Sequence, residues 1–150
     1  MRVVIQRVLN ASVHVNEKKV SSIKKGLLVF VGFEINDNTT DCDWIANKIL
    51  NLRIFSSKEN KMELSVKDVK GDVLIVSQFT LHAKTKKGNR PSFIKSAKSE
   101  TSKTLYDKFI LTIKELYKNK ISQGIFGADM KIRLENDGPV TIIIDSKNKE

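Results

Sequence analysis

The sequence predicts an α+β fold: largely antiparallel β-sheets with two helices packed on one side. Two observations carry this. Most of the 150-residue chain reads as short β-branched or alternating segments. Only 41–50 and 99–119 place apolar residues at helical spacing. With few helices between strands, neighbouring strands must mostly pair antiparallel. No repeat, linker or shift in composition divides the chain, so 1–150 is expected to form a single domain.

Arg2–Val8 is rich in Val and Ile and predicts a strand, with Arg7 either a rim charge or a fork holding carbonyls or a carboxylate. Ser12–Asn16 alternates polar and apolar residues, a half-buried strand. Glu17-Lys18-Lys19 is the expected turn before a strand at Val20–Ile23. Gly26–Phe33 is a long apolar run and predicts a central strand. Asn36–Thr40 supplies a cap for the helix at Asp41–Leu50, whose apolar side is Trp44, Ile45, Ile49 and Leu50. Arg53–Ser56 and Met62–Val66 are short strands around a turn at Lys58–Lys61. Val73–Val76 is apolar throughout and reads as a strand buried on both faces. The basic stretch His82–Pro91 is an exposed loop. Ser99 is positioned to cap a helix running to about Asn119, with Leu105, Phe109, Ile113, Leu116 and Tyr117 on one side. Met130–Leu134 and Val140–Asp145 are expected as two strands, separated by Glu135–Pro139, and Ser146–Glu150 as a charged tail.

Composition narrows the function classes. The single cysteine, Cys42, rules out an internal disulfide and suits a reducing compartment. It sits between Asp41 and Asp43, which oppose thiolate formation, so it reads as structural. No apolar run approaches the ~18–20 residues of a membrane span, and the N-terminus reads as a strand rather than a signal peptide. A soluble, cytoplasmic protein is expected. His14 and His82 lack companions at ligand spacing, so no metal site and no cofactor are expected; both read as solvent-facing. The formal charge is +10. Lys84–Lys120 holds eleven Lys or Arg against three acids, which suits a phosphate-facing surface or simply a solubilising one.

Chemistry concentrates in two places. The apolar strand 73–76 ends in Ser77, Gln78, Phe79 and Thr80. Polar side chains at a buried strand end need partners, so this is either a site or a strand leaving the core. The second place is Asn136-Asp137-Gly138-Pro139-Val140-Thr141, where a proline beside a strand marks an edge or turn.

Ser77-Gln78-Phe79-Thr80-Leu81 and Asn136–Thr141 resemble the two signature motifs of the D-aminoacyl-tRNA deacylases. The likeness extends to Met1–Val8, Gly26–Val29, Arg53–Phe55, Arg90–Phe93 and Phe126–Met130. It implies a barrel-like core and a homodimer whose active site lies at the subunit interface. It also implies hydrolysis of the ester joining a D-amino acid, or mischarged glycine, to the 3′-terminal adenosine of tRNA. In the family the Gly-Pro bond is cis, and its carbonyls reach the partner's active site and exclude L side chains. Arg7 matches the residue that braces this motif. The resemblance puts Phe126 and Leu81 near the adenine, with core packing the alternative for Phe126. Backbone N–H groups of Gln78, Phe79 and Thr80 are the expected oxyanion donors, with Ser77 and Gln78 orienting the ribose. Thr80 as nucleophile needs an adjacent base, and no His-Asp pair is evident. That favours assistance from the ribose 2′-hydroxyl. A non-catalytic RNA-binding module, or a small-molecule esterase using Thr80, are the other readings.

Overall fold

The structure is a computed structural model describing residues 1–150. Its spine is β1 (Arg2–Val15), followed by β2 (Lys18–Ile23) and β3 (Gly26–Gly32). Helix α1 (Thr39–Asn51) comes next, then the small pair β4 (Phe55–Ser56) and β5 (Met62–Leu64). β6 (Asp72–Ser77) runs into a single 3₁₀ turn, Phe79–His82. Helix α2 (Ser99–Leu116), β7 (Ile121–Gln123) and β8 (Lys131–Asp145) complete the chain.

β1 is shared along both edges. One edge pairs with β3 over its first half and with β2 over its second, both antiparallel. The other edge pairs antiparallel with β8 from Arg2 to His14. β3 then pairs with β6, and β6 with β7, both in parallel. The result is the expected antiparallel-rich, nearly closed barrel-like sheet, with a parallel seam at its most buried part. β6 shows why the seam suits that place. Val73 and Ile75 join the core beneath the helices, while Leu74 and Val76 point to a second cluster with Val8, Ala11, Val13, Ile23 and Leu28. A strand apolar on both faces needs cover on both faces, as parallel strands do.

The helices follow their sequence signals. Asn38 caps α1 in a capping box, its side chain accepting the Thr40 N–H while the Asp41 carboxylate accepts the Asn38 N–H. Cys42 is buried among core residues, and burial pushes its thiol up to about 12, as a structural cysteine requires. On α2, Leu105, Phe109, Ile113 and Tyr117 face the core. Leu116 is 40% exposed, so it leaves the expected apolar side.

Several expectations are corrected. Residues 2–8 and 12–16 belong to one strand, because β8 pairs along the whole of it. The turn into β2 is Asn16-Glu17, both at positive φ, and not Glu17–Lys19. Ser99 is the first residue of α2 rather than its cap; Lys98 holds that position without a side-chain bond. The short β7 had no periodicity long enough to announce it. The segments 130–134 and 140–145 are one strand, β8, interrupted by a bulge. His82 is 4% exposed, not solvated, because the 3₁₀ turn folds it back beside Gly32. The charged tail is partly tied: Ser146 is buried against the Met1 amino group, and Lys147 reaches Asp41 at 2.7 Å. No helix is long and apolar enough to cross a membrane.

Candidate active site

The end of β6 is built by backbone approach. Gly32 lies opposite, and a Cβ there would stand 2.6 Å from the Gln78 carbonyl oxygen. Only glycine lets β3 and the turn come this close. The chain then tightens into the 3₁₀ turn, closed by the Leu81 N–H to the Gln78 carbonyl and the Ala83 N–H to the Thr80 carbonyl. At the head of such a turn the first N–H groups have no partner within it. These are the N–H groups of Phe79 and Thr80, and no hydrogen bond outside the regular elements engages either. The Gln78 N–H, by contrast, donates to the Val31 carbonyl at 2.7 Å. The expected trio of backbone donors is therefore a pair.

The side chains sort themselves around that turn. The Gln78 amide donates to Thr80 Oγ1 at 2.6 Å. No imidazole, carboxylate or amine of this chain hydrogen-bonds to Thr80 Oγ1, whose partner is the Gln78 amide. His82 is near in sequence, but its Nε2 is buried without a partner. Phe79 is 57% exposed and meets Phe93 edge-on, ring centroids 5.0 Å apart. Ser96 Oγ donates to the Phe79 carbonyl.

Ser77, Gln78 and Phe79 line a cleft of about 550 Å³ with Phe33, Ser96, Ser99 and Phe126. Phe126 lies between core and cleft. It packs on Tyr106 at 5.6 Å while lining the cleft. Tyr106 is itself fixed, its hydroxyl donating to the Ile75 carbonyl, and burial pushes its ionisation upward. Thr80 and Leu81 line a second cleft with Arg2, Trp44 and Ile143. Arg2 Nη1 donates to the Leu81 carbonyl at 2.8 Å. Leu81 thus does not share a cavity with Phe126.

The second motif forms the bulge in β8. Residues 137–140 bow out opposite Arg7, while Asn136 and Thr141 on either side pair with Val8 and Gln6. Asn136 closes the neck, its Nδ2 donating to the carbonyls of Arg7 at 3.0 Å and Val140 at 3.1 Å. Arg7 is 7% exposed and donates to the Ile54 carbonyl. Its Nε lies 3.0 Å from Asp137 Oδ2, an ion pair in distance without the alignment of a hydrogen bond. Its Nη2 lies 2.9 Å from where a Gly138 Cβ would stand. The buried guanidinium is therefore a fork under the bulge and not a rim charge. Gly138 has φ +120°, and the Gly138–Pro139 bond is cis.

Gly138, Pro139 and Arg7 line neither of these two clefts. The sequence motif by itself assigns no role to Asn136 and Asp137. Their signal in the sequence is that Asn and Asp beside a Gly-Pro step favour hydrogen bonds to nearby backbone. No group of three or more His, Cys, Asp or Glu is placed to hold a metal ion.

The model of the family described as D-Tyr-tRNA(Tyr) deacylase matches residues 4–145. A D-aminoacyl-tRNA deacylase of Flavobacterium psychrophilum is 57% identical over 150 residues, covering all of both chains. One from Thermosipho melanesiensis is 53% identical, covering 98% of each. Among solved structures, a c-Myc DNA unwinding element binding protein superposes with a TM-score of 0.93 at 37% identity, covering 97% of this chain and 98% of that one. A probable eukaryotic D-amino acid tRNA deacylase shares the fold, with a TM-score of 0.82 at 21% identity over 95% and 97% of the two chains. Motifs, fold and full-length relatives agree, and the chain belongs to the D-Tyr-tRNA(Tyr) deacylase family.

Proposed function

We propose that this protein hydrolyses the ester of D-aminoacyl-tRNA, and of mischarged glycyl-tRNA, and spares L-aminoacyl-tRNA. The observation that carries the reading is the pair of backbone N–H groups of Phe79 and Thr80 at the head of the 3₁₀ turn, where Phe79 lines the cleft and Thr80 the second cleft beside it. An aminoacyl ester is already labile. It needs a held carbonyl, donors for the developing oxyanion and a water, and two preorganised amides supply the donors. With Thr80 bonded only to Gln78, the ribose 2′-hydroxyl assists the water and the protein supplies no nucleophile. Ser77 and Gln78 orient that ribose, and Phe126, which lines the same cleft, meets the terminal adenine; Leu81, in the other cleft, does not.

Chirality is judged by exclusion. The carbonyls of Gly138 and Pro139 occupy the space of an L side chain, and Arg7, Asp137 and Asn136 hold them there. Main-chain atoms do the excluding, so the identity of the D side chain matters little, and glycine passes. Because the bulge lines neither cleft in its own chain, the protein acts as a homodimer in which each bulge serves its twin. The compartment is the cytoplasm, where charged tRNA is found.

The test is D-tyrosyl-tRNA and L-tyrosyl-tRNA side by side. Release of D-tyrosine alone is expected. Equal release from both, or turnover of free D-tyrosine esters as fast as of charged tRNA, overturns it.

A further inference from the structure

The segment between β6 and α2 carries six cations, Lys84, Lys86, Lys87, Arg90, Lys95 and Lys98, and no acid occurs from Val73 to Ser99. A lysine-rich loop often signifies only solvation. Three observations set this one apart. None of the six is in an ion pair, although lysines elsewhere find Glu59, Asp107, Asp129 and Asp41. The loop is also built rather than slack. Lys84 and Ser92 exchange both backbone hydrogen bonds, and the Ile35 N–H holds the Lys95 carbonyl. Finally, it joins the cleft directly: Phe93 packs on Phe79, and Ser96, Ala97 and Ser99 form part of the cleft wall. Ile94, next to Phe93, is 72% exposed.

We propose that residues 84–98 seat the phosphates of the single-stranded nucleotides that precede the terminal adenosine. This rests on the deacylase reading of the cleft. A strand whose last nucleoside lies in the cleft must leave across its wall, and there it meets uncompensated cations with an exposed aromatic and an apolar side chain between them. That is the combination which holds single-stranded nucleic acid: charge along the backbone and faces against the bases. A duplex offers phosphates alone, and Phe93 and Ile94 would have no counterpart there.

The variant Lys86→Gln/Lys87→Gln/Arg90→Gln lies in exposed positions and leaves the Lys84–Ser92 pairing untouched. Single-strand contacts each contribute about 0.7 to the slope of log affinity against log salt, so three lost contacts flatten it by about 2. The variant should raise the KM for D-tyrosyl-tRNA at least tenfold at low salt with kcat unchanged. Its rate on the D-tyrosyl ester of adenosine should equal wild type. An unchanged KM and salt slope overturns the proposal, as does an equal loss of affinity for a blunt RNA hairpin without a 3′ overhang, which would mark a duplex surface. If the wild-type protein hydrolyses neither D-tyrosyl substrate, the deacylase reading fails. The affinity for uncharged tRNA, with and without its 3′ overhang, then still decides the surface.

Discussion

Gly138→Ala tests the link between the bulge and chiral discrimination. Gly138 sits at φ +120°, and a Cβ there would stand 2.8 Å from Val140 Cγ2 and 2.9 Å from Arg7 Nη2. A non-glycine residue in such a region costs on the order of 1–3 kcal/mol. Both contacts lie well inside the ordinary range, so Arg7 or the bulge must also shift by about half an ångström or more. Arg7 has little room to give, being 7% exposed and tied to Ile54 and Asp137. A cost of about 2 kcal/mol lowers the melting temperature of a chain this size by roughly 4–8 °C. A displacement approaching 1 Å in a positioning element costs about 100-fold in rate. The expected result is a folded protein with a modest loss of melting temperature and kcat/KM for D-tyrosyl-tRNA down by about two orders of magnitude. Calorimetry and single-turnover deacylation, run on one preparation, measure the two effects. A variant that loses the 4–8 °C yet keeps wild-type kcat/KM and wild-type discrimination against L-tyrosyl-tRNA refutes the role given to the bulge.

Other expectations are independent of that one. Thr80→Ala should keep most of the single-turnover rate; a collapse to background would restore threonine as the nucleophile. Tyr117→Phe removes the hydroxyl lying 3.0 Å from the Val66 carbonyl and 2.7 Å from that of Gly71, and leaving them unpaired should cost about 1–3 kcal/mol in urea unfolding. Cys42, raised by burial to about 12, should resist alkylation at pH 8 until the protein unfolds. Its contribution to stability is whole below its ordinary value of 9.0 and is lost as pH climbs from there toward 12, which alkaline melts can follow. Asp41 is pushed up by burial, but its bonds to Lys147, Ser146 and the Asn38 N–H outweigh this and hold it below its usual 3.8. That stability is present above pH 3.8 and lost as pH falls below it, so Lys147→Ala should flatten the decline in melting temperature between pH 5 and pH 3.

Local pattern carried most of the strands and both helices. Periodicity over 41–50 and the capping loop at 36–40 placed α1, and the unbroken apolar run at 73–76 announced burial on both faces. Nothing local could say that β1 and β8 are continuous. The ladder is irregular between Gln6 and Asn10, where residues 137–140 bow out of β8, and only the partner strand shows that pairing resumes on either side. The parallel seam β3–β6–β7 was equally hidden, since β7 is three residues long and owes its strand character to its neighbour. In the site, the motif residues were legible but their wiring was not. The Gln78 N–H could be ruled out as a donor only once Val31 was seen to take it. His82 looked like the first residue of a polar loop, and one tight turn buried it.

The two amides at the head of the 3₁₀ turn have a consequence for how the protein meets its surroundings. A peptide N–H neither gains nor loses a proton across the range in which cells live, and it has no sulfur or imidazole to be oxidised or sequestered. Where such donors are the whole of the protein's contribution, no protein group titrates in the rate law. Between about pH 6 and 9 the reaction's profile should climb with the reactivity of water and the ribose hydroxyl, without the bell shape that a side-chain acid and base impose.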